Sequence, residues 1–310
     1  MKLRRVRTAD GLQLQAFDAD GSWQVTTDCA PLGGRVFDRD WELARADEHL
    51  QHSSVLLPFQ PVSFRDFMLY EQHVLDASRG LVRRFHPGQY RLVETVEALT
   101  RRTFPLLKPK ALFYAQPMYY MSNAMTFIPS GTPIAAPSYS QALDYELEIG
   151  FVLARGLFNA TPAEALDAIG AFVVLNDWSA RDVQRAEMGS GFGPQKAKHF
   201  ASSLSEVAVT ADEILPRIDA LHATVSINGS VVSAVSSAGM QHGLGEVLAH
   251  ASRSEHLRPG ELFGTGTLPG GSGMETGHWL RPGDTLELTI DGIGHIEHTI
   301  TTLKSRGSHS

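Results

Sequence analysis

Near its middle the chain reads Asp144-Tyr-Glu-Leu-Glu-Ile-Gly150, a stretch in which acidic and apolar residues alternate. Successive side chains on a β-strand point to opposite faces, so this pattern predicts a strand with Asp144, Glu146 and Glu148 on one face. Acidic residues two apart lie ~7 Å from one another along such a strand, and they repel unless water or a cation separates them. The stretch alone allows two interpretations, an edge strand with a solvated acidic face or part of a cation site.

A further carboxylate, Asp177, follows a short apolar run. Residues 169–175 are mostly apolar and contain several β-branched side chains, which predicts a buried strand. Asp177 comes just after this strand, and Ser179 and Asp182 have the spacing of a helix capping box. Residues at such a strand-to-helix junction commonly carry function, although a turn-forming aspartate explains this segment by itself equally well.

A third segment, residues 64–80, has helical composition, and Gly80 is its predicted C-terminal stop. On that helix Asp66 and His73 would be seven residues apart and would share one stripe. The stripe could present a carboxylate to a cation and an imidazole to a nearby water. A lone histidine on a helix is more often structural, but the acid predicted on the same face favours a functional role for His73.

Three motifs, in this order, resemble those of the fumarylacetoacetate hydrolase superfamily. They are Asp144-Tyr-Glu-Leu-Glu148, Leu175-Asn-Asp-Trp-Ser-Ala-Arg-Asp-Val-Gln184 and Gly193-Pro-Gln-Lys-Ala-Lys-His-Phe200. The surroundings of Asp66 and His73, together with Tyr120, are similar to the fumarylacetoacetase branch of this superfamily. So is the run Gly264-Thr-Gly-Thr-Leu-Pro-Gly270 followed by Met274-Glu275. The resemblance covers residues 60–300.

The resemblance implies a bound divalent cation, Mg²⁺ or Mn²⁺, with Ca²⁺ as a further option. Its implied ligands are Asp66, Glu146, Glu148 and Asp177. Carboxylate oxygens are the ligands that such hard cations prefer, while Asp144 is not among the ligands in the family pattern. The implied catalytic residues are His73, Glu275 and Lys198, with Lys196 as the alternative to Lys198. The implied substrate contacts are Tyr120, Arg181, Gln184 and Thr267.

These residue types imply hydrolysis of a carbon–carbon bond in a 1,3-diketo acid, such as fumarylacetoacetate or an acylpyruvate. His73, oriented by Glu275, would take a proton from water, and Lys198 would stabilise the alkoxide that forms. Alternatives within the superfamily are decarboxylases, isomerases and dehydratases of oxo acids. A protein that only binds a cation or a small acid is a further alternative. Met68 and Val82 depart from the fumarylacetoacetase pattern at positions implied to recognise the substrate, so the substrate stays open.

The resemblance also implies a β-rich α+β fold, with a catalytic domain built as a β-sandwich roll, and a homodimer. The predicted domains are a small β-rich N-terminal domain (1–60), the catalytic domain (61–304) and a disordered tail (305–310). Short strands are predicted at 12–17 and 23–27, and helices at 39–52 and 92–102. Residues 285–290 and 295–300 predict a terminal hairpin. These ranges follow local periodicity and the positions of turn-forming residues.

Composition limits the function more than it defines it. The chain has 310 residues, of which 43% are hydrophobic, enough for a substantial core. A net charge of −7 argues against a general nucleic-acid surface. The single cysteine, Cys29, fits a reducing compartment, and no secretory signal or membrane-length apolar run is present. We therefore expect a cytoplasmic protein with no nucleic-acid or membrane partner. The resemblance implies that it is an enzyme acting on a small oxo or diketo acid.

Overall fold

Buried β-strands dominate the chain. A computed structural model describes residues 1–9, 11–34 and 55–302, so the helix predicted at 39–52 and the tail at 305–310 lie outside the described residues. Eighteen strands and eight α-helices occur within the described ranges. None of these helices is both long and apolar enough to cross a membrane.

The strands are β1 (Lys2–Thr8), β2 (Gly11–Phe17), β3 (Trp23–Thr26), β4 (Phe64–Phe67), β5 (Tyr119–Ser122), β6 (Phe127–Pro129), β7 (Ile134–Ala135), β8 (Leu143–Asp144), β9 (Leu147–Leu153), β10 (Ile169–Asn176), β11 (Ser179–Ala180), β12 (Ser202–Leu204), β13 (Val207–Thr210), β14 (His222–Ile227), β15 (Ser230–Ser236), β16 (Leu262–Gly264), β17 (Thr285–Ile290) and β18 (Gly294–Thr301). The helices are α1 (Glu71–Phe85), α2 (Pro87–Thr100), α3 (Ala111–Ala115), α4 (Pro162–Leu166), α5 (Arg181–Gly189), α6 (Ala211–Ile214), α7 (Leu244–Ala251) and α8 (Gly273–Thr276). Short 3₁₀ turns occur at Ala30–Leu32, Pro105–Leu107, Ala124–Thr126 and Leu215–Ala220.

The larger sheet has eleven strands, nine of them in the order β3-β2-β1-β13-β10-β9-β16-β4-β5, with β12 and β6 joined beside β10. Its central strands β9 and β10 are antiparallel and buried along their whole length. The apolar run of β10 predicted this burial, whereas β9 is buried although it carries Glu148. A five-stranded sheet, β15-β14-β17-β18-β7, packs against the large one, and β17 and β18 form the predicted hairpin. Apolar side chains of both sheets share one core. The fold is therefore the β-rich α+β type that the resemblance implied.

The N-terminal strands extend the large sheet. β2 and β3 form where short strands were predicted, whereas β1 was not predicted and pairs with β13 in antiparallel register. Leu3 and Leu14 bury their side chains in a second core on the other face of that sheet. The domain boundary predicted near residue 60 stays a prediction.

The helix predicted over residues 64–80 is wrong in its first part. Phe64–Phe67 is a strand, and α1 begins only at Glu71. β4 forms because β16 and β5 lie on either side of it and supply backbone partners, which overrides helical composition. Asp66 and His73 therefore do not share a helix stripe. Gly80 is not a helix stop either, since α1 continues to Phe85.

The capping box predicted at Ser179 is also wrong. Ser179 belongs to β11 and pairs with Asp144, and α5 begins after Ala180 without a side-chain cap. Such boxes do occur elsewhere, at Thr161 before α4 and at Ser272 before α8. The helix predicted at 92–102 exists as α2, which starts earlier, at Pro87, where a proline suits the first helical turn.

From the burial of His298, on β18, we predict how the free energy of unfolding depends on pH. Its Nδ1 lies 2.6 Å from the Thr132 carbonyl oxygen, its ring packs edge-on against Trp178, and burial lowers its pKa to about 4. Unfolded, the imidazole gains a proton below about pH 6.5, but the folded one does so only near pH 4. Stability should therefore fall by up to about 3 kcal/mol as pH drops through this window. Urea unfolding of the wild type and of His298→Asn at pH 7.5 and 4.5 measures this change in the free energy of unfolding. An equal pH dependence in both proteins contradicts the assignment.

Candidate active site

Three buried carboxylates meet at one end of the large sheet. Asp66 lies on β4, Glu148 on β9, and Asp177 just after β10, and an oxygen from each lies within 4.8 Å of the others. The pairing of the strands produces this meeting. β16 lies between β9 and β4, so residues distant in sequence become neighbours across the sheet.

Gly264 makes room for two of these carboxylates. It lies on β16 opposite Asp66 in the strand register. A Cβ at this position would lie 2.4 Å from Asp66 Oδ1 and 2.8 Å from Glu148 Oε2, closer than van der Waals contact allows. This glycine belongs to the motif at 264–270, but no role was predicted for it. Its role depends on a close approach between strands, for which the local sequence gives no signal.

The carboxylate cluster fits a hard cation. Asp66 Oδ1 and Glu148 Oε2 are buried, and neither has a hydrogen-bond partner within the described ranges. Burial and repulsion from neighbouring carboxylates raise the pKa of both Asp66 and Glu148 well above the usual range. Burial also raises the pKa of Asp177, against the opposing charge of Lys198. A divalent cation would neutralise this repulsion and use the free oxygens, which are the donors that Mg²⁺ and Mn²⁺ prefer.

Glu146 lies beside the three-carboxylate cluster in a different environment. Its Oε1 forms an ion pair with Arg181, 2.7 Å from Nη1, and its Oε2 contacts the Lys198 ammonium. Burial opposes its ionisation, but Arg181 and Lys198 outweigh that effect and hold its pKa below the usual range. Both oxygens are thus engaged by cationic side chains, and the role of Glu146 as a metal ligand stays a prediction.

The structure separates the two candidate lysines. Lys198 is buried, and its Nζ donates to Asp177 Oδ2 at 2.6 Å as well as to Glu146. Burial would lower its pKa, but these two carboxylates raise it, so the amine is held as ammonium. Lys196 is exposed, with its Nζ 5.7 Å from the centre of the Tyr139 ring. The segment is a series of turns, so the two lysines need not point the same way as they would on a strand.

Asp144 is not one of the three clustered carboxylates and has a structural role instead. It accepts a hydrogen bond of 2.7 Å from Arg181 Nε, and one of 2.9 Å from each of the backbone amides of Gly273 and Met274. It therefore holds the first turn of α8 and orients Arg181. All three acids of the alternating stretch are buried, so the interpretation as a solvated edge strand is wrong.

His73 and Glu275 form a dyad between α1 and α8. His73 Nδ1 lies 3.1 Å from Glu275 Oε2, and His73 Nε2 lies 3.9 Å from Glu146 Oε1. Burial would lower the pKa of His73, but the charge and hydrogen bond of Glu275 outweigh it, and the net shift is upward. The acidic partners of His73 are therefore Glu275 and Glu146 rather than Asp66.

The Glu275 carboxylate is held rigidly by its surroundings. Its Oε1 accepts from the Gly270 amide at 2.9 Å, and its Oε2 accepts from the Ser272 amide at 3.1 Å and the Ser272 hydroxyl at 2.8 Å. The Ser272 hydroxyl in turn accepts from the Glu275 amide at 3.3 Å, which completes a capping box. The carboxylate that faces His73 therefore has little freedom to rotate.

Gly80 allows α1 to dock on α8, and its replacement by alanine should disturb the dyad. A Cβ here would lie 1.8 Å from the Met274 carbonyl oxygen, a backbone atom that cannot rotate away. Although alanine favours helices by about 1 kcal/mol, we expect Gly80→Ala to lower the unfolding free energy by about 3 kcal/mol and to reduce kcat. Denaturant unfolding measures the free energy of unfolding, and steady-state kinetics measure kcat. Gly88→Ala on α2, where a Cβ meets nothing within 4 Å, is the control. Equal stability of the two variants would contradict the prediction.

The predicted substrate contacts border the cluster. The Tyr120 hydroxyl donates to Asp177 Oδ2, and Thr267 Oγ1 lies 3.4 Å from Glu148 Oε1. Burial and the neighbouring Asp177 raise the pKa of Tyr120, which keeps the phenol protonated. Arg181 Nη1 donates to the Gln184 side-chain oxygen at 3.0 Å, which leaves the Gln184 amide NH₂ as a donor. Their binding of substrate stays a prediction.

Two further contacts were not predicted. Ser202 Oγ lies 3.4 Å from Asp177 Oδ1 and is buried beside the cluster. Arg83 Nη2 donates to the Glu275 carbonyl oxygen at 3.1 Å, so the arginine next to Val82 supports the α8 turn. Val82 itself packs in a small apolar cluster with Leu75. The resemblance gave Val82 a position in substrate recognition, but its side chain packs between helices.

Comparisons with known proteins agree with the fold and with the family that the motifs resemble. The sequence model described as fumarylacetoacetate (FAA) hydrolase C-terminal matches residues 94–301. A curated relative is the mitochondrial oxaloacetate tautomerase FAHD1 of Rattus norvegicus, 28% identical over 179 residues, or 58% of this chain and 78% of that protein.

Two solved structures share the fold. One is 5-carboxymethyl-2-hydroxymuconate delta-isomerase from Mycobacterium smegmatis, with TM-score 0.68 and 21% identity, covering 97% of this chain and 100% of that one. The other is fumarylacetoacetate hydrolase from Exiguobacterium antarcticum, with TM-score 0.67 and 19% identity, covering 97% and 99%. The match over residues 94–301 of 310 places the chain in the fumarylacetoacetate hydrolase family.

Proposed function

We propose that the protein is a metal-dependent hydrolase that cleaves a carbon–carbon bond in a 1,3-diketo acid, such as an acylpyruvate. The observation that supports this best is the His73–Glu275 dyad, with 3.1 Å between His73 Nδ1 and Glu275 Oε2, beside a buried carboxylate cluster. Hydrolysis needs a base that activates water, whereas simple decarboxylation does not. The chain belongs to an enzyme family whose named members include isomerases, tautomerases and hydrolases.

The proposed cation ligands are Asp66, Glu148 and Asp177, with Glu146 as the fourth. A bound Mg²⁺ or Mn²⁺ would act as a Lewis acid that polarises the carbonyl oxygens of the substrate. Two buried, positively charged side chains hold these ligands in place: Arg181 contacts Glu146, and Lys198 contacts Asp177.

In the proposed reaction His73 removes a proton from water through Nε2, the nitrogen that faces away from Glu275. Glu275 keeps the ring oriented and stabilises the imidazolium that results. The hydroxide adds to the carbonyl carbon, and the Lys198 ammonium and the Gln184 amide stabilise the negative oxygen. The carbon–carbon bond then breaks as its electron pair moves into the enolate of the leaving ketone or keto acid. The His73 imidazolium then returns its proton to that enolate, which completes the release of two products.

A second candidate is tautomerisation or isomerisation of an oxo acid, which is supported by the name of the rat relative. This chemistry moves a proton between carbon and oxygen and breaks no carbon–carbon bond. The Lys198 ammonium and the Tyr120 hydroxyl both donate hydrogen bonds to Asp177, and each is a candidate proton donor. A decarboxylase and a silent binding protein are the remaining alternatives.

An NMR time course distinguishes these functions. The protein is incubated with acylpyruvates, fumarylacetoacetate and oxaloacetate, with Mg²⁺ or Mn²⁺ and again with EDTA. Metal-dependent appearance of two carboxylic acids, or of an acid and a ketone, is the expected result. In D₂O, enol–keto exchange without cleavage would instead establish the tautomerase. Loss of oxaloacetate to pyruvate and carbon dioxide, faster than with metal alone, would establish a decarboxylase.

The proposal also includes a homodimer and a small oxo acid as the partner molecule. Light scattering during size-exclusion chromatography gives the mass of the assembly directly. A monomeric mass would remove the homodimer from the proposal without affecting the reaction.

A further inference from the structure

We propose that the active site selects substrates whose acyl arm is apolar and uncharged, through three methionines that we call the methionine rim: Met68, Met118 and Met188. This inference rests on the proposed function, since it names the class of 1,3-diketo acid that the same site accepts. The three side chains are exposed by 40%, 36% and 50%, although large apolar side chains gain free energy when they are covered.

Met68 lies on the face of the sheet that carries the cluster. Phe67 and Leu69 on either side of it are buried in the core between the two sheets. Because side chains alternate along an extended chain, Met68 points to the opposite face, the one that carries Asp66. Met68 is two positions after Asp66, a spacing of ~7 Å along the strand, so Met68 can contact a substrate group beyond the reacting carbonyl.

Met118 lies next to Met68 on the same face. The Met68 amide donates to the Met118 carbonyl oxygen at 2.9 Å, which continues the pairing of β4 with β5. The Tyr119 ring packs on Phe67 with 5.0 Å between ring centres, in the core. Met118 therefore points with Tyr120 toward the site, where the Tyr120 hydroxyl contacts Asp177.

Met188 lies on α5. Arg181, Gln184 and Met188 follow one another at helical spacing, so they form one stripe that runs from the buried Glu146 contact outward. Arg185, the charged residue nearest this stripe, is engaged elsewhere. Its Nη1 lies 2.8 Å from His86 Nε2, and its guanidinium lies 5.5 Å from the centre of the Phe85 ring.

The chemistry of this rim favours an alkyl or aryl arm. Thioether side chains are apolar and flexible, so they cover chains of differing shape, but they offer no counter-charge to a terminal carboxylate. Each methylene that they remove from water should raise the affinity about threefold to fourfold. The departure of Met68 from the fumarylacetoacetase pattern thus changes the preferred substrate rather than the reaction.

The test is a series of 2,4-dioxo acids with methyl, propyl, pentyl or phenyl arms, and one with a carboxylate at the end of a pentyl-length arm. We measure kcat/KM for each with Mg²⁺, and the dissociation constant of each by calorimetry with the His73→Ala variant. We expect kcat/KM and affinity to rise about a hundredfold from methyl to pentyl, which is four methylenes, and the acid-ended arm to lose that gain. No dependence on arm length, or a preference for the acid-ended arm, overturns the inference.

Variants separate the rim from the rest of the surface. Met68→Arg should shift the preference toward the acid-ended arm by at least about tenfold, because it supplies a counter-charge. Met121→Arg is the matched control, since Met121 is 49% exposed on the same strand as Tyr120 but on its other face. Equal effects of the two variants would show that the methionines belong to the general surface. A change in the mass of the assembly in Met68→Arg alone would place them in a subunit contact. Either result overturns the inference.

The two proposals can fail separately. If the wild type cleaves none of the acids but His73→Ala binds the pentyl and phenyl compounds most tightly, the hydrolase proposal is wrong and the rim inference stands. If cleavage occurs at equal efficiency for all arms, the hydrolase stands and the rim inference is wrong.

Discussion

Replacing His73 by alanine is expected to lower kcat/KM by about 10²–10⁴-fold, the range that a general base contributes, while divalent-cation binding survives. The dyad supplies the reason. His73 is placed to take a proton from water at Nε2, because Glu275 Oε2 lies 3.1 Å from its other nitrogen, Nδ1. The three clustered carboxylates do not depend on it, because their positions come from strands β4, β9 and β10.

The measurement combines steady-state kinetics with Mn²⁺ binding by calorimetry. The fold should persist in His73→Ala, because Glu275 keeps its hydrogen bonds from the Gly270 amide and from the amide and hydroxyl of Ser272. His242→Ala is the matched control, since that histidine contacts only a backbone oxygen, that of Phe113 at 3.2 Å, among the described residues. Wild-type turnover in His73→Ala would remove His73 from the mechanism and favour the tautomerase.

Adding one methyl group at Gly264 should weaken cation binding by about ten- to a hundredfold, comparable to the loss of groups that orient metal ligands. The new Cβ would lie 2.4 Å from Asp66 Oδ1 and 2.8 Å from Glu148 Oε2. Both carboxylates must therefore turn away, and their oxygens can no longer converge. Calorimetric titration of Gly264→Ala with Mn²⁺ gives the affinity without any need for turnover.

Gly150→Ala is the matched control for this prediction. Gly150 is the direct neighbour of Gly264 on β9, but a Cβ there would meet only apolar side chains, Val173 at 2.8 Å and Leu175 at 3.4 Å among them. It should lower stability by about 1–3 kcal/mol through overpacking and leave cation affinity unchanged. An equal loss of affinity in both variants would show that general strand distortion, rather than contact with the ligands, is responsible.

Local sequence predicted those parts of the molecule that depend on local periodicity. The apolar run at 169–175 forms the buried strand β10, and the pattern at 285–300 forms the hairpin of β17 and β18. The alternation at 144–150 placed Tyr145, Leu147 and Ile149 in the core and Glu148 in the carboxylate cluster, whereas Asp144 contacts Arg181 and the first turn of α8 instead. A period of two decides which face a side chain occupies whatever the neighbouring strand is.

The family could also be recognised from the sequence, because its motifs keep their order and spacing along the chain. That recognition supplied the candidate residues. It did not supply their partners, since resemblance transfers residue types and not contacts. Glu146 illustrates the limit, because a ligand role was implied while its oxygens contact Arg181 and Lys198.

Tertiary structure decided what depends on residues far apart in the chain. Residues 64–67 have helical composition, yet backbone partners on β16 and β5 make them a strand. The dyad of His73 and Glu275 exists because Gly80 lets α1 approach the Met274 carbonyl, and the carboxylates converge because Gly264 carries no side chain. The sequence by itself thus determined which chemical groups are available and, where the period of a strand is clear, which face a side chain occupies. Only the packing of distant strands and helices, which depends on non-local contacts, decided which of those groups meet.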